Sequence, residues 1–461
     1  MVFSSLIFLF LFLPIVLIIN FLLPSKLRNG FLLIANLFFY AWGEPIYVLL
    51  MLASIFVNYI SALLIDNTDE NAVSMRKFIL VVNVILNIGA LGFFKYTSLV
   101  MDTLRLIPAF GFIPKVNILL PIGISFYTFQ AMSYVIDVYR KDCGATKNFI
   151  DFASYISLFP QLIAGPIVRY VDVKDQMTHR VVTMDMFSSG VKLFVVGLAK
   201  KVLLANQFGK VWDMIFADAL NFGTAGAWVG ALSYTLQIYF DFAGYSDMAR
   251  GLGKMLGFDF CINFNYPYIS RNITEFWRRW HISLSTWFKD YIYIPLGGNR
   301  TTKARHAFNV LVVWALTGLG HGAGWNFVAW GLYYGLLLLA EKMLYGKLLE
   351  KLPRIFGHLY TMLIVIVGWI FFASPTFADA FNYIKCMFVF SSGDAVGLIP
   401  WFGTFAIGIV CATPLCLNVW TKAKEKCNIA WLEVVFAVLG FLLCLARLVT
   451  DSYNPFLYFR F

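Results

Sequence analysis

GLGHGAGWNFVAWG, residues 318–331, sets five glycines and one histidine, His321, inside a run from His306 to Ala340 that carries no Lys, Arg, Asp or Glu. As one straight helix those 35 residues would reach roughly 52 Å at about 1.5 Å each, well beyond a hydrocarbon core of about 30 Å. The segment must break. Glycine costs a helix interior about 1 kcal/mol relative to alanine, which marks Gly318 to Gly324 as the place. Basic residues flank both ends, Lys303 and Arg305, then Lys342 and Lys347, so a re-entrant pair of helices with His321 near its turn is favoured over a single crossing. An ionisable ring in that setting is costly and marks a functional path by default. Burial disfavours the imidazolium and leaves a neutral ring able to accept a proton. The plainer alternative is a histidine bonded to a neighbouring carbonyl that fixes a helix contact.

Composition places the whole chain in a bilayer. Of 461 residues, 60% are hydrophobic and 13% charged, with mean hydropathy +0.75, where soluble domains hold about 25% charged residues. Apolar stretches near Leu6–Leu23, Ile46–Ile65, Phe78–Phe94, Val191–Leu204, Ile355–Phe372, Thr404–Val419 and Ala430–Leu445 each approach the roughly 20 residues of a spanning helix, and about ten to twelve crossings are expected. No basic residue precedes the first segment, no small-residue cleavage site follows it, and Lys26 and Arg28 come directly after, as in a retained anchor. Lys and Arg in short loops face the cytoplasm. That rule puts residues 24–29 and the loop with Lys422, Lys424 and Lys426 inside, and the amino terminus and the tail outside. The net charge of +11 is spread between hydrophobic spans, so it speaks for topology and anionic membrane lipids, not for nucleic acid. Seven scattered cysteines lack CxxC and Cys/His zinc spacing and read as small apolar packers.

With no internal repeat, low-complexity tract or long linker, residues 1–461 read as a single all-α membrane domain: transmembrane helices over 1–120, a core over 121–345, and transmembrane helices with an extracytoplasmic tail over 346–461. Breaks at Gly43-Glu44-Pro45, Leu120–Gly123, Ala164-Gly165-Pro166 and Gly318–Gly324 imply re-entrant helices and a wet cavity, because irregular backbone at membrane depth survives only inside protein or against water. The longest polar interruption, Asp247–Arg305, is aromatic and basic. Within it Trp277, Trp280, His281, Leu284, Trp287 and Phe288 recur at i, i+3, i+4, i+7, with Arg278, Arg279, Ser285 and Lys289 elsewhere on the wheel. A helix lying in the membrane interface has this pattern. Thr274 is its expected N-cap, and Glu275 can pair with Arg279 at i+4.

His281 precedes His321 by 40 residues, at a break from which the chain can fold it back toward that ring. Two neutral histidines could hold a metal, but no third ligand stands at suitable spacing, so no metal is expected. GLGKMLG, residues 251–257, misses the GxGxxG phosphate cradle by one position and follows no strand, and no GxSxG elbow occurs. A tight helical packing surface accounts for those glycines.

The stretches PIGISFYTFQAMSYVIDVYR (121–140), SLFPQLIAGPIVRY (157–170), QIYFDFAGYSDMARGLGKMLGF (237–258), NFNYPYIS (263–270), EFWRRWHISLSTWFKDYIYIPLGGNR (275–300) and HGAGWNFVAWG (321–331) closely resemble membrane-bound O-acyltransferases. Within that family they are similar to the alginate O-acetyltransferase branch, which includes proteins that acetylate peptidoglycan. The resemblance runs from about residue 36 to the end, and WRRWHISLSTW followed by HGA is its most specific part. It implies a multi-helix fold around a central pore, a catalytic core at 121–345, an invariant catalytic histidine at His321 and the second family histidine at His281. Members of the branch usually carry Trp before the catalytic histidine and His before the glycine that closes WGxxHG. This chain has Gly320 and Tyr334 there, which would widen the pocket beside His321 and remove one candidate donor.

On that resemblance the expected function is O-acetylation of an exported polysaccharide from a cytoplasmic donor, acetyl-CoA, in the bacterial cytoplasmic membrane. His321 would be the base that takes a hydroxyl proton, worth about 10² to 10⁴ in rate. His281 would orient the reactants or stabilise an oxyanion, where one donor is worth roughly 3 to 4 kcal/mol. Arg278 and Arg279 would meet the donor's phosphates; their plainer reading is anchoring at lipid headgroups. Because the polymer lies across the membrane from the donor, a channel and an extracytoplasmic SGNH-type acetyltransferase or esterase partner are implied. Tyr458, near the carboxyl terminus, is a candidate acyl way-station, against the plainer reading of an aromatic belt residue. Two other functions stay open: acylation of a lipid or protein from a longer acyl-CoA, and transport with incidental histidines.

Overall fold

The computed structural model describes residues 1–457 except Asn117, Asp394, Ala395, Asn428 and the side chains of Val396 and Ala430. Tyr458, the expected way-station, lies outside the described residues. The secondary structure is helical, and no β-strand occurs among the described residues. Of these helices, five are long and apolar enough to cross a membrane: Tyr47–Asn67, Val73–Arg105, Trp325–Lys351, Arg354–Ala373 and Trp431–Thr450. A sixth span results if Gly397–Cys411 and Leu415–Lys426, bent by 66°, count as one. The protein is a multi-pass membrane protein. Other apolar stretches form shorter or broken helices, such as Phe8–Leu22 and the segment interrupted by a π-helical turn at Lys200–Ala205.

The chain forms two compact units, Met1–Leu193 with Met248–Cys261, and Phe194–Asp247 with Ile262–Phe461. In the first, α1 (Tyr47–Asn67), α2 (Val73–Arg105) and α3 (Ile124–Arg140) pack together. Amides within apolar spans need partners on neighbouring helices. Asn58 of α1 donates to Asn87 Oδ1 at 3.0 Å, while Asn83 and Asn87 of α2 donate to Asn58 Oδ1 at 3.1 and 3.0 Å. These bonds tie α1 to α2.

The second unit holds both histidines. Its helices include α4 (Ala219–Leu256, interrupted at Gly223 and belonging to this unit as far as Asp247), α5 (Ile273–Arg279), α6 (Ile282–Phe288), α7 (Lys303–His321), α8 (Trp325–Ala340), α9 (Arg354–Ala373) and α10 (Ala430–Thr450). α4, α5, α8 and α9 contribute to an aromatic core that includes Tyr239, Trp277, Trp280, Trp330, Tyr334 and Trp369. The uncharged run breaks where its glycines lie: α7 ends at His321, and Gly322 and Gly324 are extended before α8 starts. The two helices form a hairpin, as expected from the flanking charges. Its sides touch backbone to backbone, since a Cβ built at Gly318 would sit 2.2 Å from the Phe327 carbonyl oxygen and one at Gly331 2.2 Å from that of Trp314. Only glycine permits that approach.

The carboxyl-terminal segment is tied into this unit by a buried ion pair. Lys201 and Asp241, each 3% exposed, meet at 2.5 Å. Lys201 Nζ also donates to the Pro455 carbonyl, and the Leu457 N–H donates to Asp241 Oδ2 at 2.8 Å. Tyr453 donates to Asp213 at 2.5 Å, and Phe456 stacks on Tyr245 with centroids 4.9 Å apart.

Candidate active site

The single interfacial helix expected across 277–288 is interrupted at His281. Trp280 is extended and His281 adopts a left-handed conformation, φ +46°. Tertiary bonds override the helical periodicity: the Ile282 N–H donates to the Asn263 carbonyl and the Asn265 N–H to that of Arg279, both at 2.9 Å. The N-cap of α5 is Asn272, which accepts from the Glu275 N–H at 2.6 Å, and not Thr274. Thr274 instead donates its hydroxyl to Glu341 at 2.8 Å. That buried carboxylate also accepts from the Ile273 and Thr274 N–H groups at 2.6 and 3.0 Å, placing a negative charge at the positive end of α5.

This turn brings His281 to His321. The ring centroids are 6.4 Å apart and the planes nearly perpendicular, at 88°. His281 Nδ1 lies 3.1 Å from Asn263 Oδ1, and His321 Nδ1 lies 2.7 Å from the Thr317 carbonyl oxygen. The Thr317 carbonyl can only accept, so the His321 Nδ1 carries a proton, and in the neutral ring Nε2 is the basic nitrogen. The neighbouring-carbonyl bond of the plainer reading is therefore present, and it occupies one ring nitrogen only. His281 is 4% exposed. Its burial, with a smaller contribution from His321, holds it well below the ordinary histidine value, so the ring is neutral near pH 7. Phe242 stands 4.7 Å from His281, and Trp330 and Phe372 stand 5.1 and 5.7 Å from His321.

Both rings line a cavity of about 850 Å³. α7 contributes His306, Val310, Val313, Trp314, Thr317 and His321 to its wall, positions i, i+4, i+7, i+8, i+11 and i+15 on one helical face. The cavity thus follows α7 for about four turns, roughly 22 Å. At the end away from His321, Lys342 donates to His306 Nε2 at 3.0 Å. Arg278, Lys289 and Lys347 also line the cavity, with Glu275, Glu341 and Glu350. Glu341 is taken up by α5 and Glu275 by Arg279, so cations exceed the carboxylates left over. Arg278 is among the lining residues. Arg279 is not among the lining residues; it bonds to Glu275 at 3.0 Å and the Asn265 carbonyl at 3.1 Å. A Cβ at Gly320 would meet only Phe288 Cζ, at 4.0 Å. Tyr334 is fully buried against Trp277, Trp330 and Trp314, outside the cavity wall. Sequence reasoning missed Glu341 and the lysines as cavity residues, and Asn263 as the partner of His281. Lys342 and Lys347 were visible only as charges flanking the uncharged run, and Lys289 only as part of the polar face of the expected interfacial helix.

Residues 141–375 match the membrane-bound O-acyltransferase family. The chain is 41% identical to a probable alginate O-acetylase of Pseudomonas putida over the full length of both. It is 46% identical to one of Azotobacter vinelandii, across 85% of this chain and 78% of the relative. To a peptidoglycan O-acetyltransferase of Helicobacter pylori it is 35% identical, across 84% and 80%. A multi-pass helical protein with a buried and a half-buried imidazole paired at one end of a long cavity has the make-up of a membrane acyltransferase. The chain belongs to the membrane-bound O-acyltransferase family.

Proposed function

We propose that this acyltransferase moves acetyl groups from cytoplasmic acetyl-CoA for the O-acetylation of an exported polysaccharide, in the bacterial cytoplasmic membrane. The observation that carries the reading is a cavity with both His281 and His321 at one end and Lys342, Lys347 and Lys289 along its wall. A thioester donor with an anionic head and a long arm suits such a site. His321 Nε2 takes the proton of an acceptor hydroxyl as that oxygen attacks the thioester carbonyl, then returns it to the departing thiolate. His281 orients the reactants, and Arg278 adds to the charge that meets the donor's phosphates. Transfer to the polymer outside calls on an SGNH-type acetyltransferase or esterase partner. Tyr458 is the proposed way-station for the acyl group, and unchanged polymer acetylation after removal of residues 458–461 would eliminate it.

Membranes carrying the protein are expected to release thiol from acetyl-CoA, and His321→Ala membranes are not. Release that persists in the variant overturns the assignment of His321. Comparison of acetyl-CoA with longer acyl-CoA donors then separates acetylation from lipid or protein acylation. Mass analysis of exported glycans with and without the protein identifies the polymer by its lost acetyl esters.

A further inference from the structure

The bonds around Asn263 decide what His281 is able to do. Asn263 is 1% exposed. Its Oδ1 lies 3.1 Å from the Ser283 N, 2.9 Å from the Ser283 Oγ and 3.1 Å from His281 Nδ1. A main-chain N–H can only donate, which settles that atom of the amide as oxygen and not nitrogen. The imidazole must then present a proton to it. The Asn263 main chain holds the same turn, through its carbonyl and the Ile282 N–H at 2.9 Å. A non-glycine residue at φ +46° keeps that conformation only where its surroundings over-determine it.

We propose that Asn263 is a positioning residue that makes His281 a hydrogen-bond acceptor toward substrate, by committing its Nδ1 proton and leaving Nε2 unprotonated. The neutral ring then has no proton to give a carbonyl oxyanion, so of the two roles expected for His281 it orients and does not stabilise the oxyanion. The proposal rests on the acyl-transfer reading of the two histidines. Around His281 the titratable neighbour acting on its charge is His321. α4 and the loop before α5 present the apolar rings of Phe242 and Phe264. Glu275, Arg278 and Lys289 share the cavity wall from the α5–α6 side, and His306, Glu341 and Lys342 share it from the hairpin.

The test follows thiol release from acetyl-CoA in membranes carrying the full chain, from about pH 5 to about pH 9, a range that brackets the ordinary histidine value. His281→Ala is the check on the underlying reading: a wild-type rate there ends the role of His281 altogether, a different failure from those below. Asn263→Ala is expected to lower kcat about tenfold or more with the donor KM little changed, because ring orientation is lost while the cavity stays. Asn263→Asp keeps an acceptor for all three donors and adds a charge at Nδ1, which favours the imidazolium. Its acid limb is expected to move up by about one pH unit or more. A purely structural role would lower the yield of folded protein and leave that limb in place. A wild-type pH profile in Asn263→Asp overturns the proposal even if Asn263→Ala fails to fold, and so does a wild-type kcat in folded Asn263→Ala.

Discussion

Gly331→Ala tests whether the closeness of α7 and α8 is what places His321. The added Cβ would stand 2.2 Å from the Trp314 carbonyl oxygen, 3.1 Å from its carbon and 3.2 Å from Gly318 Cα. All three are backbone atoms, so no side chain can swing aside. Carbon–oxygen contacts of this kind normally lie at about 3.3 Å or more, so the hairpin must open by roughly 1 Å. His321 is the last residue of α7, three residues beyond Gly318 in that seam. A displacement of about 1 Å at a reacting group costs on the order of 10²-fold in rate. The assay is thiol release from acetyl-CoA, normalised to folded protein in membranes. Gly320→Ala is the control: its Cβ meets only Phe288 Cζ, at 4.0 Å, and alanine favours a helix interior by about 0.5 to 1 kcal/mol, so activity near wild type is expected. Full specific activity in Gly331→Ala would show that the register of the hairpin does not set the position of the histidine.

Three further outcomes follow from the same geometry. Lys201→Met strands the Asp241 carboxylate, 3% exposed, and should destabilise the protein by about 3 to 5 kcal/mol; thermal unfolding in detergent reads this, and an unchanged midpoint refutes it. Lys342→Ala should raise the donor KM about tenfold, as expected for losing a charged hydrogen bond of about 1.5 kcal/mol, with kcat retained; a fall in kcat alone contradicts a donor-binding role. Because burial lowers the His281 value in the folded chain, the unfolded chain binds the extra proton first on acidification, so stability should decline as pH falls below about 6.5. His281→Phe should flatten that part of the stability–pH curve, and a slope identical to wild type excludes His281 as its source.

The hairpin was legible because it follows from length and charge; the pairing of His281 with His321 was expected from the break between them and from the family resemblance. An uncharged run longer than the bilayer must break, and glycine marks where. The turn at His281 was not legible, since residues 277–288 keep a faultless helical period and the partner that interrupts it, Asn263, lies in a loop 18 residues earlier. Arg278 and Arg279 look alike as neighbours in a basic run. The i+4 relation of Glu275 to Arg279 already carried the signal that separates them, and the bond at 3.0 Å removes Arg279 from the cavity. Lys201 and Asp241 are 40 residues apart, and their hold on the segment near Pro455 spans some 250 residues in sequence. No local pattern encodes contacts of that range.

A hairpin at 303–340 has a chemical consequence that a single crossing would not. In a crossing, His306 and Lys342 would lie on opposite sides of the membrane. In the hairpin Lys342 returns to donate to His306 at 3.0 Å, so the charges that follow α8 join the start of α7. One face of α7 then carries an anion-attracting end and, about 15 residues or roughly 22 Å away, the imidazole at His321. The helix length sets the separation between the charged and reactive ends of any donor that fills the cavity. On the proposed function, the sequence break that the bilayer enforces is thereby also the element that would measure the donor.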